Sequence, residues 1–141
     1  MDDPHDLSRF VDAQALAYDH ALAEIRSGRK RSHWMWYVFP QLAGLGLSAM
    51  SARFAIRGLD EARAYLRHPV LGPRIHECFD ALLRINGRSA HDIFGSPDDL
   101  KLRSCVTLFA EVAPPDSVFV RVLDRYFDGR RDERTLSLLR R

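Results

Sequence analysis

Cysteine and lysine are both scarce in this chain, and each scarcity narrows the reading. The two cysteines, Cys78 and Cys105, stand far apart with no C-x-x-C, so there is no disulfide framework to expect. Both occupy apolar positions of expected helices and read as reduced, buried thiols. Lys30 and Lys101 are the only lysines, so the positive charge is carried almost entirely by arginine. No charge of one sign dominates: the formal net charge is +2, which gives no strong field over the molecule and disfavours a nucleic-acid binder that relies on bulk charge. No apolar run approaches the ~20 residues of a membrane span, so no membrane partner is expected. The opening residues, MDDPHDL, do not resemble a signal peptide, and the expected location is cytoplasmic. Repeats, low-complexity tracts and long linkers are missing too.

What remains is an ordinary globular composition. The chain has 141 residues, of which 46% are hydrophobic and 28% charged, enough apolar material for one domain spanning residues 1–141. The apolar residues recur at helical spacing. Leu7, Phe10, Val11, Tyr18, Leu22 and Ile25 make a first stripe, with a cap near Asp6, Arg26 in the last turn and Gly28 as the stop. Ser32 is placed to cap a short helix over His33–Tyr37, and another starts near Ser48. Leu59, Ala62 and Leu66 mark a helix ended by His68-Pro69. Leu71, Ile75, Cys78, Leu82 and Ile85 form the next, its regular part starting at Pro73 and closing at Asn86-Gly87. Ser89 opens a turn of helix that ends at Gly95. Ser96, with Pro97 in the first turn and Asp98 and Asp99 behind it, predicts the start of a helix through Val112. Pro114-Pro115 breaks it, Asp116 caps a helix bearing Phe119, Val122, Leu123 and Phe127, and a last one holds Leu136 and Leu139. Helix follows helix without a hairpin signal, which predicts an all-α multihelical domain of roughly seven to nine helices.

One segment carries more chemistry than its neighbours. GRKRSHWMWYVFPQ, Gly28 to Gln41, sets three consecutive cations before a histidine, two tryptophans and a tyrosine. Arg29, Lys30 and Arg31 offer charge, and His33 a donor or a near-neutral acid. Trp34 and Trp36 offer stacking faces and indole N–H groups, and Gln41 an amide that donates and accepts. Together with Ser32 these residues describe a pocket for an anionic, ring-bearing metabolite. The competing reading makes Trp34, Met35, Tyr37, Val38 and Phe39 a buried central helix, with His33 satisfied by a backbone carbonyl and the basic triplet solvated.

Further along, Lys101 and Ser104 lie three apart and share a helix face beside the apolar stripe of Leu102 and Cys105. A lysine there either finds an acidic partner or an anion, or extends its head into water. A Ser/Lys nucleophile and base would need an oxyanion nest that the sequence does not display. The six histidines form no H-x-x-x-H or H-E-x-x-H, so no metal site is expected. The lone G-L-G at Gly44–Gly46 lacks the strand and the Gly-Lys-Ser/Thr ending of a phosphate loop, and no cofactor is expected.

The stretches SHWMWYVFPQ with the following GLG, and IFGSPDDLKLRSCVTLF, resemble the bacterial domain-of-unknown-function family numbered 1810. The resemblance runs from DLSRFVDAQ at Asp6 to RTLSLL near the end. It implies a single all-α domain and no established activity. Some members carry a calpastatin label, which belongs to a disordered inhibitor and does not suit a chain with the stripes and caps of a packed fold. The family's signature positions fall here on Lys30, Ser32, His33, Trp34, Trp36, Pro40, Gln41, Gly44 and Gly46, and on Lys101, Leu102, Ser104, Thr107, Leu108 and Phe109. Cys105 stands where the family pattern has a second serine.

The leading functional expectation is a small anionic ligand, phosphate- or nucleotide-bearing, held between the Trp34/Trp36 segment and the helix starting at Ser96. Its candidate binding residues are Lys30, Ser32, His33, Trp34, Trp36, Gln41, Lys101 and Ser104. A hydrolytic role with His33 as acid or base is one extension of it, although no reaction is legible. The alternatives are a nucleic-acid module using Arg29, Lys30 and Arg31, and a protein-interaction domain without a ligand.

Overall fold

Nine helices, joined by short turns, account for the regular structure of the described residues, 2–141, in the computed structural model. They are α1 (Ser8–Arg26), α2 (Met35–Val38), α3 (Ala49–Arg53), α4 (Leu59–Arg67), α5 (Leu71–Leu83), α6 (Ala90–Phe94), α7 (Asp98–Ala110), α8 (Val118–Phe127) and α9 (Glu133–Leu139). The expected all-α class is what the chain adopts. The core gathers stripe residues such as Phe10, Ile25 and Phe119, all fully enclosed, together with Tyr65 and Phe79, which the expected stripes do not include. α5 packs on α1, α4 and α8, and α7 on α4, α6, α8 and α9, so these two helices form the centre. Phe109 and Phe119 stack with ring centres 5.8 Å apart, and Phe79 meets Phe119 edge-on at 5.2 Å.

Several helix boundaries differ from the sequence reading by a residue or two, each for a visible reason. α1 begins at Ser8, and its first N–H groups are covered by Asp3, whose carboxylate accepts from Leu7 and Ser8, rather than by Asp6. Ser32 does not cap α2, which begins at Met35 with Trp34 in the N-cap place; the Ser32 hydroxyl donates to Glu24 instead. α5 starts at Leu71, before Pro73, which its first turn accommodates. α7 starts at Asp98 and leaves Ser96 outside the helix, with a cis Ser96-Pro97 peptide between them. Ser117, not Asp116, caps α8 by accepting from the Val120 N–H. Ser89 and Asp92 form a reciprocal capping box on α6.

Two long-range ties set the geometry used below. Arg9 of α1 donates to the carbonyls of Arg53 and Ala55 at 2.9 and 2.7 Å and pairs with the buried Glu61 carboxylate at 2.7 Å. It thereby holds the segment after α3 against α1. A single parallel bridge joins Leu42 to Ile56: the Ile56 N–H donates to the Gln41 carbonyl and the Ala43 N–H to the Ile56 carbonyl, both at 2.8 Å. No helix is long and apolar enough to cross a membrane among the described residues.

Candidate functional site

Trp34 and Trp36 are two residues apart and sit in opposite surroundings. Trp34 is buried at 1% exposure, between Phe39 and Phe94. Its indole N–H donates to the Glu24 carboxylate at 2.9 Å. Glu24, itself buried on the inner side of α1, also accepts from the Arg31 and Ser32 N–H groups at 2.7 and 2.9 Å and from the Ser32 hydroxyl at 2.6 Å. Burial alone would raise this carboxyl; the hydrogen bonds from Ser32, Arg31 and Trp34 outweigh it and hold it at about 2, against 4.5 for a free glutamate. His20, one turn earlier, places Nε2 2.9 Å from the same carboxylate and 3.1 Å from the Ser32 hydroxyl. A histidine, a serine and a glutamate thus meet, but through one ring nitrogen, and the nearby backbone N–H groups already serve Glu24. That arrangement locks the Gly28–Trp34 turn and offers no oxyanion nest.

The two lysines converge on Asp98, the first residue of α7. Lys30 Nζ lies 2.9 Å from Asp98 Oδ2 and donates to the Ser32 carbonyl at 2.5 Å. Its ammonium stands 5.1 Å from the Trp34 ring centre, and the side chain is only 8% exposed. Lys101 reaches the other Asp98 oxygen at 3.6 Å and stands 5.7 Å from the Trp36 ring centre. The junction of the Trp segment with α7 therefore does bring Lys30, Ser32, Trp34, Trp36 and Lys101 together, around an acid that neutralises much of their charge. Ser104, buried one turn below Lys101, returns its hydroxyl to the Leu100 carbonyl at 3.2 Å. His33 is exposed, and its carbonyl accepts from the Tyr37 hydroxyl. Arg29 and Arg31 are exposed on either side of Lys30.

Trp36 and Gln41 face a different space. With Gly46, Ser51, Phe54 and Arg57 they line a cleft of about 280 Å³. Leu42, one partner of the bridge to Ile56, is part of the lining, and so is Gly44, which turns the chain at φ +97, a conformation suited to glycine. Gly46 sits so close to α3 that a Cβ there would meet the Ser51 side chain at 2.4 Å. Among the described residues the Arg57 guanidinium makes no ion pair. The cleft lining contains no aspartate or glutamate.

Three of these participants were not singled out by sequence. Glu24 had a faint signal, as an acid flanked by Leu22 and Ile25 on a buried stripe. Asp98 reads from sequence only as a favourable charge at a helix start. Arg57 carried no signal, because its position depends on the bridge between Gln41 and Ile56. Among the described residues no group of three or more His, Cys, Asp or Glu side chains is close enough to hold a metal ion.

An all-helical domain with a saturated polar junction on one side of a tryptophan pair and an open cleft on the other is the class that fold and geometry define. The chain belongs to the family described as "Protein of unknown function (DUF1810)", whose model matches residues 4–139. It is similar to the conserved hypothetical protein Rv1873 from Mycobacterium tuberculosis, known from a crystal structure at 1.38 Å, with 52% identity, a TM-score of 0.96 and 99% of each chain covered. No curated protein matches the chain.

Proposed function

We propose that this domain binds a small anionic, ring-bearing ligand, of the nucleotide class, in the cleft bordered by Trp36, Gln41 and Arg57. One observation carries the reading: a half-buried indole, an amide and an unpaired guanidinium line the same open space of about 280 Å³, with no acid among them. An indole face suits a heterocycle, the amide can donate to and accept from its edge, and a guanidinium fork matches phosphate oxygens. Lys101 adds positive potential at the rim of Trp36, partly offset by Asp98. The binding set proposed from sequence is thus narrowed to Trp36, Gln41 and Lys101 and extended to Arg57. Lys30, Ser32, Trp34 and Ser104 act as the scaffold behind them, and His33 stays outside the set.

Thermal melting with AMP and inorganic phosphate tests it. Saturating AMP is expected to raise the melting temperature of the wild-type protein by about 5 °C or more. Arg57→Ala and Trp36→Ala should each remove most of that rise. No shift in the wild-type protein, or an unaltered shift in Arg57→Ala, overturns the proposal.

A further inference from the structure

We infer that the ligand's phosphate is held by the G-L-G turn of the Trp36 cleft, through the Ser51 hydroxyl and the N–H groups of Gly44 and Gly46, together with Arg57. This rests on the binding reading above and names the groups that take its anionic part. Ser51 is part of the cleft lining. Its backbone N–H donates to the Ser48 hydroxyl oxygen at 3.1 Å, and the Ser48 hydroxyl donates onward to the Ser51 hydroxyl oxygen at 2.9 Å. The hydrogen of the Ser51 hydroxyl is thereby left without an acceptor among the described residues, and the bond this hydroxyl receives makes it a stronger donor. The N–H of Ser51 is already spent on Ser48, so the side chain, not the first turn of α3, is the donor on offer. Gly46 makes room for it: a Cβ there would fall 2.4 Å from both the Cβ and the Oγ of Ser51. Gly44 and Gly46 line the same space, and neither N–H has a backbone acceptor among the described residues. With no side chains, they let a ligand approach the main chain closely. The G-L-G motif, too weak a signal by sequence alone, thus sits between the Leu42–Ile56 bridge and α3 with its donors uncommitted. A phosphate monoester presents three acceptor oxygens, and a guanidinium fork engages two. The third needs another donor. Trp36 and the Gln41 amide serve the ring in the binding reading, which leaves the Ser51 hydroxyl as the remaining side-chain donor of the lining beside Arg57.

Calorimetry and phosphorus NMR of the full chain with AMP test the inference. Ser51→Ala keeps the Ser48 cap of α3, because that cap accepts from the Ser51 N–H rather than from its side chain. The variant should weaken AMP about tenfold. At saturating nucleotide it should also move the phosphorus resonance of bound AMP away from its wild-type position. Gln41→Ala should weaken AMP and leave that resonance where it is. Ser51→Asp provides a second probe. It sets an acid three residues after a serine cap, the arrangement that Ser89 and Asp92 already form on α6, so the fold accommodates it. Its carboxylate should weaken AMP more than Ser51→Ala does. Unchanged AMP affinity in Ser51→Ala overturns the phosphate assignment and leaves the cleft reading standing on Trp36 and Arg57. Lost affinity with an unmoved phosphorus resonance overturns it too, by placing Ser51 against another part of the ligand. No binding of AMP to the wild-type protein overturns both.

Discussion

The two tryptophans of the WMW segment make a natural pair for comparison. Around Trp34, the inward-facing polar groups of the turn have partners: the indole N–H, two backbone N–H groups and the Ser32 hydroxyl converge on Glu24, and Lys30 is paired with Asp98, while Arg29, Arg31 and His33 point outward. Around Trp36, one side carries Lys101 and the other borders an open cleft in which Arg57 has no ion-pair partner. Both surroundings combine cations with an aromatic ring, and from composition alone they are indistinguishable. Partnering separates them. A saturated cluster stabilises a fold, whereas cations and amides left without acids beside a cavity are available to a ligand.

That contrast sets the order of expected effects. Trp34→Ala should cost about 3–5 kcal/mol, through a large buried cavity and one lost hydrogen bond to Glu24, whereas Trp36→Ala should cost about 1 kcal/mol. Urea unfolding measures both, and equal losses would break the distinction. Glu24→Ala comes next, at about 3 kcal/mol, because it strands the Trp34 indole and two backbone N–H groups.

Glu24 also predicts an acid dependence. Its carboxyl titrates at about 2 in the folded protein and near 4.5 when free, so the unfolded state takes up the proton first as pH falls. Its contribution is complete above about pH 4.5 and is lost between there and about pH 2. The gap in stability between wild type and Glu24→Gln, followed by urea unfolding at pH 7, 4 and 3, should therefore shrink as the pH falls. A constant gap would contradict the account. The lysines divide in the same way. Lys30→Met, which breaks a nearly enclosed pair, should cost about 1–3 kcal/mol. Lys101→Ala, which breaks a more open one, should cost about 0.5 kcal/mol. Thermal melting orders the two, and a reversed order would place the sealed side at Lys101.

Most of the helical architecture was legible because its stripes are regular. Leu71, Ile75, Cys78 and Leu82 repeat every third or fourth residue, and all four are buried on α5. Caps are less legible where two candidates adjoin: nothing local tells Asp116 from Ser117, which is the residue that accepts from the Val120 N–H. The binding segment was legible as chemistry but not as geometry. The fate of Trp34 depends on Glu24 meeting a turn seven to ten residues later, and that of Trp36 on a bridge joining Leu42 to Ile56. Such encounters leave no periodicity behind, which is why Glu24 and Arg57 escaped notice while Lys30 and Trp34 did not.

Collisional quenching of two single-tryptophan variants bears most directly on the contrast. Trp34→Phe leaves Trp36, whose emission should be accessible to acrylamide and should change when AMP is added. Trp36→Phe leaves Trp34, whose emission should be shielded from acrylamide and indifferent to AMP. Strong quenching of Trp34, or a nucleotide response from Trp34 and none from Trp36, would contradict the account.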